Sequence, residues 1–237
     1  MGVEVNKRFF HKLRLEACPV RSGSFLMGCT KGFDIKALYT LLMSYILGVD
    51  EAGRGPLAGP VAVAVIAVRE GHPVLRKLRG VRDSKKLSER QREAWFAHIR
   101  NWSGQGSLRY AISFSSAGVI DKRGIVKAVA AALARAVRRL GVPPKKSRIL
   151  LDGSLYAPSE FIFQKTIIGG DEKVRIIALA SIVAKVMRDR RMKRLARKYP
   201  EYGFDVHKGY GSKAHIAHIR RHGLSDVHRQ SFCKNFG

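Results

Sequence analysis

Tyr45-Ile-Leu-Gly-Val-Asp-Glu-Ala-Gly-Arg-Gly-Pro-Leu-Ala-Gly-Pro60 is a short β-prone run that ends on two acids and then breaks into a Gly/Pro loop. Glycine and proline between Ala52 and Pro60 supply the backbone freedom and the fixed φ of a tight connection. Val61 to Val68 follows, Val and Ile alternating with Ala. A run apolar at every position reads as a strand covered on both faces. Two strands joined by a glycine-rich loop, with adjacent acids at the first strand's end, set the frame for everything downstream.

Working outward, Ser88 to Arg100 opens with a Ser N-cap and Glu-Arg-Gln-Arg, a helix start. Ser107 to Ser115 reads as a strand. Gly124 to Leu140 is Ala-rich with apolar spacing of three and four, hence a helix, stopped by Gly141 and the prolines after Val142. Arg148 to Leu151 is a strand ending on Asp152. Phe161 to Ile168 is another, with Gly169-Gly170 as a turn before Asp171. Val174 to Lys198 predicts a long helix, apolar on one face and basic on the other, and Gly211 to His222 predicts a further helix. The pattern implies one α/β domain over 43–237: a central mixed β-sheet flanked by helices, with a C-terminal helical segment. Residues 1–42 mix Lys, Arg and Phe without period and read as a poorly ordered N-terminal extension that need not belong to the natural protein.

The chain has 237 residues, with Lys plus Arg outnumbering Asp plus Glu by 45 to 18 for a formal charge of +27. Such a surplus attracts polyanions, because neutralised phosphates release their condensed counterions. A membrane partner is disfavoured: no apolar run reaches the roughly 18 residues of a transmembrane segment. Cys18, Cys29 and Cys233 form no Cys-x-x-Cys pair and read as free thiols; with no signal-peptide pattern, a cytoplasmic location is expected.

In so basic a protein, the acids placed beside glycines at strand ends stand out: Asp50, Glu51, Asp152 and Asp171. Hard divalent cations prefer carboxylate oxygens, and two such ions can clamp the attacking and leaving oxygens of a phosphodiester. The bland reading is that each acid is solvated or caps a helix. Adjacent strand residues also face opposite ways, so Asp50 and Glu51 share one metal only if the strand breaks there or Glu51 uses a backbone oxygen.

Gly48-Val-Asp-Glu-Ala-Gly-Arg-Gly-Pro-Leu-Ala-Gly-Pro-Val closely resembles the opening motif of the ribonuclease HII family, the type 2 ribonucleases H. Asp83-Ser-Lys-Lys-Leu-Ser, Leu151-Asp-Gly, Gly170-Asp, Ala180-Ser-Ile-Val-Ala-Lys-Val-Met-Arg-Asp-Arg and Tyr202-Gly-Phe-Asp-Val-His-Lys-Gly-Tyr-Gly follow in the family's order. Six ordered blocks form a far more specific signal than one short motif. The resemblance spans about Tyr45 to Phe232.

The resemblance implies a ribonuclease H-like fold and an endoribonuclease that cuts 5′ of ribonucleotides by two-metal-ion catalysis, with Mn2+ or Mg2+ as cofactor. Its partners would be RNA–DNA hybrid and ribonucleotide-containing duplex DNA, and the enzyme would be a monomer. The metal-binding, catalytic carboxylates fall on Asp50, Glu51, Asp152 and Asp171; Glu172 and Asp189 are substitutes for the last, although Asp189, among arginines in mid-helix, suits a structural ion pair. Gly53, Arg54 and Gly55 would form the ribonucleotide-sensing loop, Lys85 and Lys86 would contact substrate, and Tyr210 would pack on a deoxyribose. A half-buried core tyrosine is the competing reading for Tyr210.

Rival readings fare worse. Gly53-Arg-Gly-Pro-Leu-Ala58 satisfies a relaxed dinucleotide fingerprint, but a strand follows instead of the helix that would hold a pyrophosphate. A non-catalytic nucleic-acid binder would match the charge but has no use for acids amid its basic surface. Ribonuclease HIII, a near relative, typically carries Lys in place of Arg54 and Glu as its fourth acid. The histidines His207, His215, His218, His222 and His228 crowd the C-terminal part, where zinc is the less favoured reading for want of an acidic or thiol partner.

Overall fold

A computed structural model describes residues 44–78, 81 and 86–235. Residues 1–42 and Lys85 lie outside them, and so do the expectations that fall there. In chain order the described elements are β1 (Tyr45–Ala52), β2 (Val61–Arg69), α1 (Val74–Lys77), α2 (Glu89–Gly104), β3 (Arg109–Ser115), α3 (Ala117–Arg123), α4 (Ile125–Leu140), β4 (Ser147–Asp152), β5 (Phe163–Ile167), α5 (Gly170–Lys173), α6 (Arg175–Lys198), α7 (Phe204–His207) and α8 (Lys213–His222).

The five strands form one sheet in the order β3-β2-β1-β4-β5. β1, β2 and β3 pair antiparallel, whereas β4 runs parallel to β1 and β5 parallel to β4. The expected central mixed sheet is therefore present. Its layers follow from side-chain alternation. Leu47, Val49, Val63, Val65, Ile149 and Leu151 point to the face covered by α4. Ala64, Ile66 and Val68 point to the other, covered by α6 and α2. β2 is accordingly buried from Val61 to Val68, as its unbroken apolar run requires.

Gly48 explains how closely α6 lies on the sheet: a Cβ there would sit 2.4 Å from the backbone carbonyl of Ile176. The helix signals also act as read. Ser88 caps α2 in a capping box with Gln91, and α4 ends on Gly141 in the left-handed region.

Three readings need correction. The Gly169-Gly170 turn is the start of α5, so Asp171 sits on a one-turn helix rather than a loop. α6 is not divided into an apolar and a basic face throughout: Ile176 to Ala184 are all buried, because the sheet lies on one side and α2 covers another. The helix α3, between β3 and α4, has too short an apolar pattern to announce itself. Among the described residues no helix is long and apolar enough to cross a membrane.

Candidate active site

β1 and β4 are parallel neighbours with Val49 opposite Leu151, so the next residues, Asp50 and Asp152, leave adjacent strands at the same edge. Alternation sends both toward the α6 face, together with Gly48 and Leu150. α5 brings Asp171 to the same place, directly after β5. One carboxylate oxygen from each of Asp50, Asp152 and Asp171 lies within 4.8 Å of the others. Asp50 and Asp171 are buried, and Asp152 is half-buried.

Asp50 and Asp152 are held by neighbours whose partnership the sequence does not announce. Ser181 of α6 hydrogen-bonds the Asp50 side chain, and the Glu51 amide donates to Asp50 Oδ1 at 2.7 Å. The Gly170 amide, at the start of α5, donates to Asp152 Oδ1 at 2.6 Å. A side chain at Gly170 would press on Ile177 and on that same Oδ1. Glycine is therefore required for α5 to approach β4.

Glu51 behaves as strand alternation demands. β1 continues to Ala52, so the strand does not break, and the Glu51 carboxylate lies outside the three-acid group. Instead Oε1 accepts from Arg54 Nη1 at 3.2 Å. Its Oε2 is buried with no hydrogen-bond partner. Burial holds the Glu51 carboxyl above its ordinary range, opposed by Arg54 and reinforced by Asp152. Asp50 is pushed up further, first by burial and then by the charges of Glu51 and Asp152 against the Ser181 hydrogen bond. Buried carboxylates that repel one another resist ionisation unless a cation joins them.

The rivals for the fourth acid have other partners. Asp189 is buried and accepts from Lys185 at 2.9 Å, one helical turn away, the ion pair expected of it. Glu172 is paired with Lys86 on the surface at 2.9 Å.

Tyr210 is not a core residue: its side is 46% exposed, with the Arg188 guanidinium 5.7 Å from its ring centroid. The histidines separate into two groups. His207, His215 and His228 stack on one another in series and meet Phe204 edge-on or tilted, with Tyr202 edge-on to His228. His215 Nε2 and His228 Nε2 are 3.1 Å apart. The Ser225 amide donates to His228 Nδ1, so His228 carries its proton on Nε2 and passes a hydrogen bond to His215, whose Nδ1 then donates to the Tyr210 carbonyl. Burial lowers both rings to about 4. His218 and His222 are a separate stacked pair on α8, and no metal-ligand group among the described residues includes any histidine.

A basic α/β domain that gathers hard oxygen donors at one edge of a mixed sheet has the make-up of a metal-dependent enzyme acting on nucleic acid. The family model for Ribonuclease HII matches residues 47–235. Ribonuclease HII of Desulfitobacterium hafniense is 45% identical over 188 residues, 79% of this chain and 68% of that protein. Its counterpart in Shewanella halifaxensis is 39% identical over 206 residues, 87% of this chain and 96% of that protein. Ribonuclease HII of Archaeoglobus fulgidus, solved in complex with PCNA, superposes with a TM-score of 0.65 at 27% identity, covering 80% of this chain and 94% of that one. The chain belongs to the ribonuclease HII family and is an endonuclease of the ribonuclease H class.

Proposed function

We propose that Asp50, Asp152 and Asp171, with Glu51 beside them, hold divalent metal ions, Mg2+ or Mn2+, and that the chain hydrolyses the phosphodiester 5′ of a ribonucleotide. The substrate is an RNA–DNA hybrid or duplex DNA containing ribonucleotides, and the products carry 3′-hydroxyl and 5′-phosphate ends. The observation that carries this reading is the convergence of three carboxylate oxygens within 4.8 Å in a chain of charge +27. The donors fit a hard cation: all are carboxylate oxygens, the Glu51 Oε2 is buried and unpartnered, and burial holds Asp50 and Glu51 above the ordinary carboxylate range.

When bound, the metal supplies Lewis acidity and positive charge where a phosphodiester is attacked. The chain's own residues orient and screen. Ser181 and the Glu51 amide fix the rotamer of Asp50, and the Gly170 amide does the same for Asp152. Arg54 is tied to Glu51 and partly exposed, so it can turn part of its fork to a phosphate while remaining next to the acids. Gly53 and Gly55 let the backbone approach a ribose, whose 2′-hydroxyl distinguishes RNA from DNA. The exposed ring of Tyr210 offers a flat surface for the adjacent sugar. Lys86, exposed and paired with Glu172 on the surface, and Lys85 are proposed for phosphate contacts.

The test is cleavage of a labelled duplex with one embedded ribonucleotide, with Mg2+, with Mn2+ and with chelator. Cutting 5′ of the ribonucleotide only when metal is present is expected. Asp152→Asn should lose at least about 100-fold in kcat while binding the duplex within about threefold of wild type, because the basic surface is untouched. Near-normal turnover in Asp152→Asn would refute the assignment.

A further inference from the structure

Two arginines lie beneath loop 53–60, and the metal reading gives them no task. Arg188 of α6 and Arg229, after α8, are both 0% exposed. Buried arginines are normally matched by carboxylates, yet neither is in a salt bridge among the described residues. Their donors go to the loop's backbone instead. Arg229 donates from Nη2 to the Gly53 carbonyl and from Nη1 to the Arg54 carbonyl, each at 2.7 Å, and from Nε to the Gly59 carbonyl at 3.0 Å. Arg188 donates from Nε to the Pro60 carbonyl at 3.0 Å and from Nη2 to the Ala58 carbonyl at 3.4 Å. Five carbonyls of one loop are turned inward onto two guanidinium groups. Each contact joins residues more than 120 positions apart, so the C-terminal half of the chain dictates the shape of the loop.

The arrangement is expensive. Arg188 Nη1 is buried without a hydrogen-bond partner, so its lost hydration is not compensated. Burial and the charge of Arg188 lower Arg229 to about 10, which leaves it protonated at neutral pH. Gly53, at φ +91°, is needed because a Cβ would come within 1.9 Å of Arg188 Nε. Two buried cations with no carboxylate in salt-bridge contact, Asp189 and Asp121 acting on them only at longer range, lie under a loop at the rim of the acids and suit a loop that receives a polyanion, since buried charge is little screened by salt.

We propose that Arg188 and Arg229 are positioning residues for substrate: their forks hold loop 53–60 in the shape that meets the nucleic-acid backbone, without touching it themselves. The inference rests on the nuclease reading above. It requires that the planar fork, and not charge alone, matter, because a lysine ammonium cannot span three carbonyls set by one guanidinium.

The experiment uses the full chain with Arg229→Lys and, separately, Arg188→Lys, on the embedded-ribonucleotide duplex. A KM raised about tenfold or more is expected with kcat within about threefold of wild type. Duplex binding without divalent metal should weaken while the slope of log Kd against log salt stays unchanged, because no phosphate contact is removed. Arg54→Ala, by contrast, should lower that slope by about one. Hydrogen exchange should quicken in 53–60 and remain slow in β2. An unchanged KM in a folded variant overturns the proposal. So does a fall in kcat alone, which would mean fewer folded molecules, and so does a slope reduced by about one, which would mean direct phosphate contact. If Arg229→Lys does not fold, Arg188→Lys decides by the same readouts. Should wild type itself fail to cut, the nuclease reading falls instead.

Discussion

Replacing Asp50 by Asn should make the metal-free protein more stable while destroying its activity. Asp50 is 4% exposed and shares a space in which carboxylate oxygens approach within 4.8 Å. At that distance and an effective dielectric near 20, each ionised pair costs roughly 3 kcal/mol. Solvent screening and the Arg54 guanidinium on Glu51 offset part of this, leaving about 1–3 kcal/mol to be recovered when one charge is removed. Asn keeps an oxygen for the Glu51 amide and offers its NH2 group to the neighbouring acids, so the exchange removes charge more than it removes hydrogen bonds. For a domain of this size, about 2–4 °C in Tm per kcal/mol gives a rise of roughly 3–10 °C in EDTA. The pH dependence has a definite sign. A carboxyl held above its ordinary range in the folded state binds protons more tightly there than in the unfolded chain, so metal-free stability falls as pH rises through that shifted range. The Asp50→Asn curve should be flatter on the alkaline side. Calorimetric scans in EDTA and in millimolar Mn2+ read both effects: wild type gains stability from the metal, and the variant gains much less. An Asp50→Asn protein that melts at or below the wild-type temperature in EDTA would show that the three acids are not strained against one another, and the argument for a cation would lose its energetic basis.

Gly48→Ala forces a Cβ to within 2.4 Å of the Ile176 backbone, so α6 must move out by about 1 Å; overpacking of this kind costs about 1–3 kcal/mol. Because Ser181 rides on that helix, Tm and kcat should fall together, and a Tm within 1 °C of wild type would refute the close contact. His215 and His228 are held near 4, below the unfolded value, so their contribution is fully present above about pH 6.5 and is lost as pH falls toward 4. Asp50 and Glu51 act in the opposite sense, so the quantity to measure is the difference between wild type and His215→Gln: the gap in Tm should narrow from pH 7 to pH 4.5, and a constant gap would exclude neutral histidines there.

Much of this was legible in the sequence because local and global signals agreed. The unbroken Val/Ile/Ala run of β2 could only be a strand buried on both sides, and the Ser88 capping box and Gly141 fixed helix ends to within a few residues. The four acids were legible as chemistry through their company with glycines, but their grouping was not. Alternation correctly warned that Asp50 and Glu51 diverge, whereas only the parallel pairing of β1 with β4 brings Asp50 beside Asp152. Ser181, the Gly170 amide, Arg188 and Arg229 were invisible as partners because each acts across at least 18 positions of sequence, and a basic residue in a basic segment carries no mark of burial.

That last point changes how the charge of the chain is to be understood. Residues 173–237 hold sixteen Lys and Arg against four acids, which on paper is a broad cationic surface for nucleic acid. In the fold the set divides by task. Arg188 and Arg229 are buried and committed to carbonyls. Lys185 is spent on Asp189, while Arg190 and Lys193 cross to Glu93 and Glu89 on α2, fixing that helix against α6. Arg190 also lies over the Phe96 ring. These half-exposed pairs tie the rim of a contact that the buried apolar residues of α6 hold together: the residues that face α2 find acids there, and those that face the loop find carbonyls. Those five are committed, and the larger part of the set, eleven of the sixteen, remains to attract a duplex; on the reading proposed above, register on the substrate falls to the few groups at the edge of the acids. On the proposed reading, attraction and alignment are carried by different arginines, and a count of basic residues measures only the first.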